Sequence, residues 1–158
     1  MKRIVIIGAG ISGLFIANLF KKNSNYQVTI YEKNNLINLD NGYGIQLSVN
    51  SIKFLNEIGF EKLKNDKKFT PEKINFYSNK NSDKICELDI SDFNSENCKY
   101  TTLKRSALIN FLKKDLEDLI KTDHNISKID HEAKKIKLSF ENSETKECDY
   151  LIVSDGVF

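Results

Sequence analysis

A chain of 158 residues has room for one ordinary domain with a real core, or for one part of a larger one. Its 40% apolar and 29% charged residues are those of a globular protein and exclude a disordered one. Lys and Arg number 24 against 22 Asp and Glu, and the resulting net charge of +2 gives no electrostatic reason to expect nucleic acid or an anionic membrane as partner.

The opening MKRIVIIGAGISGLFIANLF sets two cations before an apolar stretch, the outline of a signal peptide. Gly8, Gly10, Ser12, Gly13 and Asn18 interrupt that stretch where a turn and a helix start belong, and no small-residue cleavage site follows. The stretch is also broken too often to span a bilayer. The β-branched run 3–7 predicts a strand buried on both faces of a parallel sheet. A glycine-rich turn (8–13), a helix (about 11–22) and a second strand, QVTIYE (27–32), complete a unit of the size of a mononucleotide-binding βαβ.

A polar loop, 33–41, leads into GYGIQL (42–47). Ser48 or Asn50 is the expected cap of a helix whose apolar face is Val49, Ile52, Leu55 and Ile58, with Gly59 as its stop. The mixed-sign run EKLKNDKK, 61–68, reads as a solvated helix face and loop rather than a binding patch. After Pro71, KINFYS and KICELDI predict two antiparallel strands around a polar turn at 79–83, and 91–100 is irregular. An amphipathic helix is expected over 103–120, with Leu108, Phe111, Leu112, Leu116 and Leu119 on one stripe. ISKID, KKIKLSF and KECDY are short strands of a β-meander, and the apolar run 150–153 rejoins the central sheet. The whole, 1–158, is read as one α/β domain.

Cys86, Cys98 and Cys148 are widely spaced, form no CxxC pair, and are not spaced with His124 or His131 as zinc ligands are. Reduced thiols and a cytoplasmic location are the expectation, with no metal. Neither histidine is nominated for catalysis.

GAGISG fits G-x-G-x-x-G at Gly8, Gly10 and Gly13, a weak pattern alone. Here a buried strand precedes it, a helix opens within it, and Glu32 follows Gly13 by nineteen positions at the end of the second strand. Gly8 permits the tight turn. Gly10, without a Cβ, lets a pyrophosphate approach backbone N–H groups and the helix dipole. Gly13 and Ala17 let the helix pack closely. Glu32 can accept from both ribose hydroxyls and would repel a 2′-phosphate, which disfavours NADP. Ala9, Ile11, Ser12 and Lys33 complete the candidate set. FAD and NAD both present an ADP group to this turn, and the residues do not separate them.

Three further stretches occur in order with the first. GYGIQLSVNSIKFLNEIGF resembles the Gly-x-Gly-Ile-x-Leu loop and helix of the flavin-dependent aromatic hydroxylases, the single-component FAD monooxygenases typified by p-hydroxybenzoate hydroxylase. TTLKRSALINFLKK resembles that family's Arg-x-x-Leu helix start. YLIVSDGV resembles its Ala-Asp-Gly turn, with Ser154 for the alanine. The resemblance implies a Rossmann-like FAD-binding fold, with a glutathione-reductase-type parallel sheet and a β-meander. It also implies a reaction in which NAD(P)H, a transient reductant, reduces FAD and one atom of O2 passes to a small organic substrate.

By the same resemblance Arg105 contacts the flavin cofactor, Gly44 and Ile45 lie near the flavin, and Asp155 and Gly156 lie by the pyrophosphate. A cation at a helix start opposes the macrodipole, so local stability does not explain Arg105, whereas an anion to be gripped would. No acid or base is nominated.

The resemblance covers only the family's N-terminal part. The expectation is a fold incomplete at its C-terminus, without the family's later Gly-Asp motif or substrate domain, and a second polypeptide supplying the missing half. The alternative is a non-catalytic FAD- or NAD-binding remnant, or a subunit that needs a second polypeptide. An amine-oxidase-type flavoprotein also opens GAGISGL but follows its acidic residue with Gly-Gly-Arg, which is not found here. An NAD-dependent dehydrogenase would proceed directly to a third parallel strand.

Overall fold

The computed structural model describes residues 1–37, 43–131 and 135–156. Gly42 of the GYGIQL stretch, Lys134 of KKIKLSF, and Val157 and Phe158 of the tail lie outside the described residues. In chain order the first elements are β1 (Lys2–Ile7), α1 (Ile11–Phe20), β2 (Tyr26–Tyr31), β3 (Gly44–Leu47) and α2 (Val49–Asn56). Next come β4 (Lys68–Phe69), β5 (Lys73–Tyr77), β6 (Lys84–Asp89), β7 (Thr101–Lys104) and α3 (Arg105–Lys113). The remainder is β8 (Ile120–Lys121), β9 (Ile126–His131), β10 (Ile136–Phe140), β11 (Thr145–Cys148) and β12 (Tyr150–Val153). These elements form two compact units, Met1–Asn41 with Leu108–Phe158, and Gly42–Ala107.

In the first unit the sheet has the order β12-β1-β2-β8, and every pairing in it is parallel. β1 is central, which is why Ile4 to Ile7 can all be buried while a one-faced strand would alternate. Successive side chains leave a strand on opposite faces. Val5 and Ile7 pack with Tyr31 against the meander residues Leu138, Phe140 and Cys148. Ile4 and Ile6 therefore occupy the opposite face, and α1, which packs on β1 and β2, buries Leu14 and Ala17 completely. Each such Leu or Ile stabilises the fold by about 1.5–3 kcal/mol relative to exposure.

The meander β9-β10-β11 is antiparallel, as its alternating sequence predicts. Asp149 then locks it to the sheet, its carboxylate accepting from Arg3 N–H at 2.7 Å while its own N–H donates to the Arg3 carbonyl at 2.9 Å. The Arg3 N–H holds the Asp149 carboxyl below its ordinary value, helped by the charges of Lys2, Lys135 and Arg3. Asn18, buried in α1, donates through Nδ2 to the carbonyls of Leu14 and Leu112 at 2.9 and 2.7 Å, so its burial leaves that donor satisfied.

Helix α3 departs from expectation at both ends. Thr101–Lys104, whose last two residues were expected in the helix, form strand β7. The helix ends at Lys113, not near Ile120, because Asp115 takes a left-handed φ of +63° and Ile120 and Lys121 extend to pair with Ile30 and Tyr31. Of the expected stripe Leu108, Leu112 and Leu116 are fully buried, joined by Ile109, whereas Phe111 and Leu119 are only half-buried.

In the second unit β3, β7 and β4 form an antiparallel sheet in that order, and β5 and β6 form a hairpin. α2 has Ser48 at its N-cap, but the hydroxyl makes no capping bond and lies 3.5 Å from the Ser51 hydroxyl. The helix ends at Asn56 with Glu57 as its C-cap, and Gly59, expected as its stop, lies just beyond and opens the next turn at a left-handed φ of +90° that a side chain would strain. Among the described residues no helix is long and apolar enough to cross a membrane.

Candidate functional site

Ten of the thirteen residues singled out in the sequence fall in the first unit, at or beyond the carboxyl ends of three adjacent parallel strands. Gly8 to Gly13 follow β1, Glu32 and Lys33 follow β2, and Asp155 and Gly156 follow β12. Open parallel sheets bind ligands at this edge, because the turns there splay apart and helices start there with unsatisfied N–H groups.

The three glycines serve different ends. Gly8 has a left-handed φ of +97°, and a Cβ on it would lie 2.4 Å from the carbonyl oxygen of Ser154 and 3.0 Å from the Asp155 Cα. A Cβ on Gly13 would lie 2.0 Å from the Gly8 carbonyl oxygen and 2.8 Å from Ser154 Oγ. Both glycines are thus required by the protein itself. Gly13 was expected to let the helix approach the sheet; its contact is with the turn before the helix and the turn after β12.

Gly10 differs. A Cβ there meets nothing within 4 Å among the described residues, and its φ of −78° is open to any residue. Gly10 is the N-cap of α1, with no side-chain cap, and the first bond of the helix runs from Leu14 N–H to the Gly10 carbonyl at 3.0 Å. The N–H groups of Ile11, Ser12 and Gly13 precede that ladder. The space beside Gly10 and the positive end of α1 together suit an anion such as a pyrophosphate.

Glu32 is half-buried. One carboxylate oxygen, Oε2, accepts from Ala9 N–H at 2.9 Å and so braces the glycine turn. The other, Oε1, accepts from the backbone N–H and side-chain Nδ2 of Asn34 at 3.1 and 2.7 Å. Lys33 is exposed between them. The buried Tyr31 ring, next along the chain, stacks near His124 and Phe140 with centroids 4.9 and 4.7 Å away, and burial raises its hydroxyl pKa.

Gly44, Ile45 and Arg105 lie in the second unit. Gly44 pairs with Lys104 and Ile45 with Leu103, so the half-buried Arg105 directly follows the ladder that fixes Gly44. Arg105 N–H donates to the Tyr43 carbonyl at 3.2 Å and opens α3.

Two residues were missed. Ser154 donates through N and Oγ to the Ile7 carbonyl at 2.8 and 2.9 Å, tying the end of β12 to the end of β1. Its only signal was its departure from alanine. Asn34 carried no signal, because its role depends on the position of the Glu32 carboxylate. Among the described residues no group of three or more His, Cys, Asp or Glu could hold a metal ion.

A family model described as an NAD(P)-binding Rossmann-like domain matches residues 6–38. No curated protein matches the chain. Among solved structures, 2,6-dihydroxypyridine-3-hydroxylase from Arthrobacter nicotinovorans is similar over 98% of this chain and 37% of its own, at 16% identity and a TM-score of 0.78. HpxO from Klebsiella pneumoniae, complexed with FAD and uric acid, is similar over 98% of this chain and 39% of its own, at 18% identity and a TM-score of 0.81. The tetracycline destructase Tet(55) is similar over 99% of this chain and 38% of its own, at 22% identity and a TM-score of 0.75. The chain has a Rossmann-like α/β fold with a β-meander, shared over almost its whole length with these structures and spanning about two-fifths of theirs.

Proposed function

We propose that this chain is the FAD-binding portion of a flavin-dependent monooxygenase. Gly8 to Gly13 receive the pyrophosphate, Glu32 the adenosine ribose, and Asp155 and Gly156 flank the pyrophosphate from the neighbouring turn. The observation that carries this is the contrast among the glycines. The protein fills the space at Gly8 and Gly13 with its own atoms and leaves it open at Gly10, beside the uncapped start of α1.

When bound, FAD supplies the redox chemistry, with NAD(P)H as reductant. The chain's own residues bind and orient. The N–H groups at the start of α1 neutralise phosphate charge, the Glu32 carboxylate disfavours a 2′-phosphate, and the Ser154 bonds to Ile7 hold Asp155 beside Gly8. Gly44, Ile45 and Arg105 are proposed as cofactor contacts on the strength of their motifs. A small organic substrate, a second polypeptide completing the enzyme, and a cytoplasmic location belong to the same proposal, the last supported by three free cysteines.

Calorimetric titration with FAD, ADP, 5′-AMP and 2′,5′-ADP tests it. Binding of FAD and ADP is expected, with marked weakening of 2′,5′-ADP relative to 5′-AMP, from which it differs only by the 2′-phosphate. Failure of both FAD and ADP to bind would overturn the reading.

A further inference from the structure

An ionised carboxylate offers about four acceptor positions, two on each oxygen. At Glu32, Oε1 takes both Asn34 donors and Oε2 takes Ala9 N–H, so one position remains, on Oε2. A ribose presents two adjacent hydroxyls. Glu32 as held here can serve one of them, not both.

The second acceptor stands next to it. Because an ionised carboxylate cannot donate, the Asn34 amide must turn its nitrogen to Glu32, which leaves Oδ1 as an acceptor on the same amide. Among the described residues no donor reaches that oxygen, and Asn34 is exposed. Its backbone is nonetheless fixed. Glu32 N–H donates to the Lys121 carbonyl at 2.9 Å, His124 N–H to the Glu32 carbonyl at 3.0 Å, and Asp123 N–H to the Asn34 carbonyl at 3.3 Å. Three bonds thus hold 32–34 against the segment after α3, and the Asn34 amide is a placed group.

We propose that Asn34 is a second ribose-recognition residue: Glu32 Oε2 accepts one hydroxyl of the adenosine ribose and Asn34 Oδ1 accepts the other. This rests on the nucleotide reading above and deepens it. Exclusion of a 2′-phosphate is then shared between a full charge and an amide oxygen, neither of which can donate to it.

The test is calorimetric binding of ADP, 2′-deoxy-ADP and 3′-deoxy-ADP to the full chain and to Asn34→Ala. Each deoxy analogue should bind the unmutated chain about fivefold more weakly than ADP, one hydrogen bond apiece. In Asn34→Ala one analogue should become equal to ADP while the other keeps its deficit. Retention of both deficits, or loss of both, would overturn the proposal, the latter by showing that Asn34 acts only through Glu32. If Asn34→Ala does not fold by circular dichroism, Asn34→Gly, which also lacks the amide oxygen, is read in the same way. Absence of ADP binding to the unmutated chain would sink the nucleotide reading and this proposal with it, a result distinct from a selectivity that fails in the variant alone.

Discussion

β1 and β6 are both six-residue strands, and both are legible as strands in the sequence, yet they end in opposite environments. β1, KRIVII, buries four of its six residues, whereas every residue of β6, KICELD, is exposed. β1 has a parallel neighbour on each side, a helix over one face and a meander under the other. Among the described residues β6 has one neighbour, β5, and the side chains of Phe76, Ile85 and Leu88 remain 48–68% exposed. A lone two-stranded hairpin is marginal in water. On its polar side Glu87 sits between Lys73 at 2.8 Å and Lys84, and these two cations hold its carboxyl below the ordinary value. Local sequence sets the element, and the number of partners sets what it contributes.

Truncating the two apolar sets tests that contrast most severely. Leu138→Ala, in the cluster under β1, should cost about 2–5 kcal/mol, read as a large drop in the thermal midpoint. Leu88→Ala on the hairpin should change stability by no more than about 0.5 kcal/mol. A large effect at Leu88 would show that the hairpin is covered in solution.

The next contrast lies within the glycine turn. Gly13→Ala drives a methyl to within 2.0 Å of the Gly8 carbonyl oxygen and should destabilise by about 1–3 kcal/mol. Gly10→Ala should leave stability within about 1 kcal/mol of unmutated and weaken ADP binding instead. Equal stability losses would break the division of roles. Similar in size, Asn18→Ala should cost about 1–3 kcal/mol, since it strands the Leu112 carbonyl that Asn18 Nδ2 serves.

Acidification and salt give the smallest effects. Asp149 and Glu87 both have folded pKa values below their unfolded ones, so each contributes stability that is complete above its ordinary value and is lost as pH falls through the lowered one. Thermal midpoints measured from pH 6 downward should therefore fall below about pH 4, and Asp149→Asn should flatten part of that fall. Salt at about 1 M should weaken the Glu87 ion pairs and leave the Asp149 bond to Arg3 N–H largely intact, because only the former is a solvent-exposed pair of opposite charges.

Much of the fold was readable from local pattern. The Val and Ile run of β1, the glycine turn, α1, the hairpin after Pro71 and the meander all occur where spacing placed them, since each is set by residues within a few positions. β7 and β8 were not, because their extended form depends on partners far along the chain: Gly44–Leu47 and Lys68–Phe69 for the first, Ile30 and Tyr31 for the second. The helical spacing held from Leu108 to Leu112, and beyond Lys113 strand pairing at Ile120 outweighed helix propensity.

The candidate site divides in the same way. The sequence alone determined that Gly8, Gly10 and Gly13 form a turn between a buried strand and a helix, with Glu32 one strand away, because a βαβ unit of this length has few ways to close. Only the tertiary structure decided that Ser154, 147 positions from Ile7, fills the space that Gly8 and Gly13 leave. It likewise decided that Glu32 spends three of its acceptor positions on Ala9 and Asn34. Hydrogen bonds and close contacts are made between atoms, and which atoms meet is fixed by the sheet order β12-β1-β2 rather than by the residues themselves.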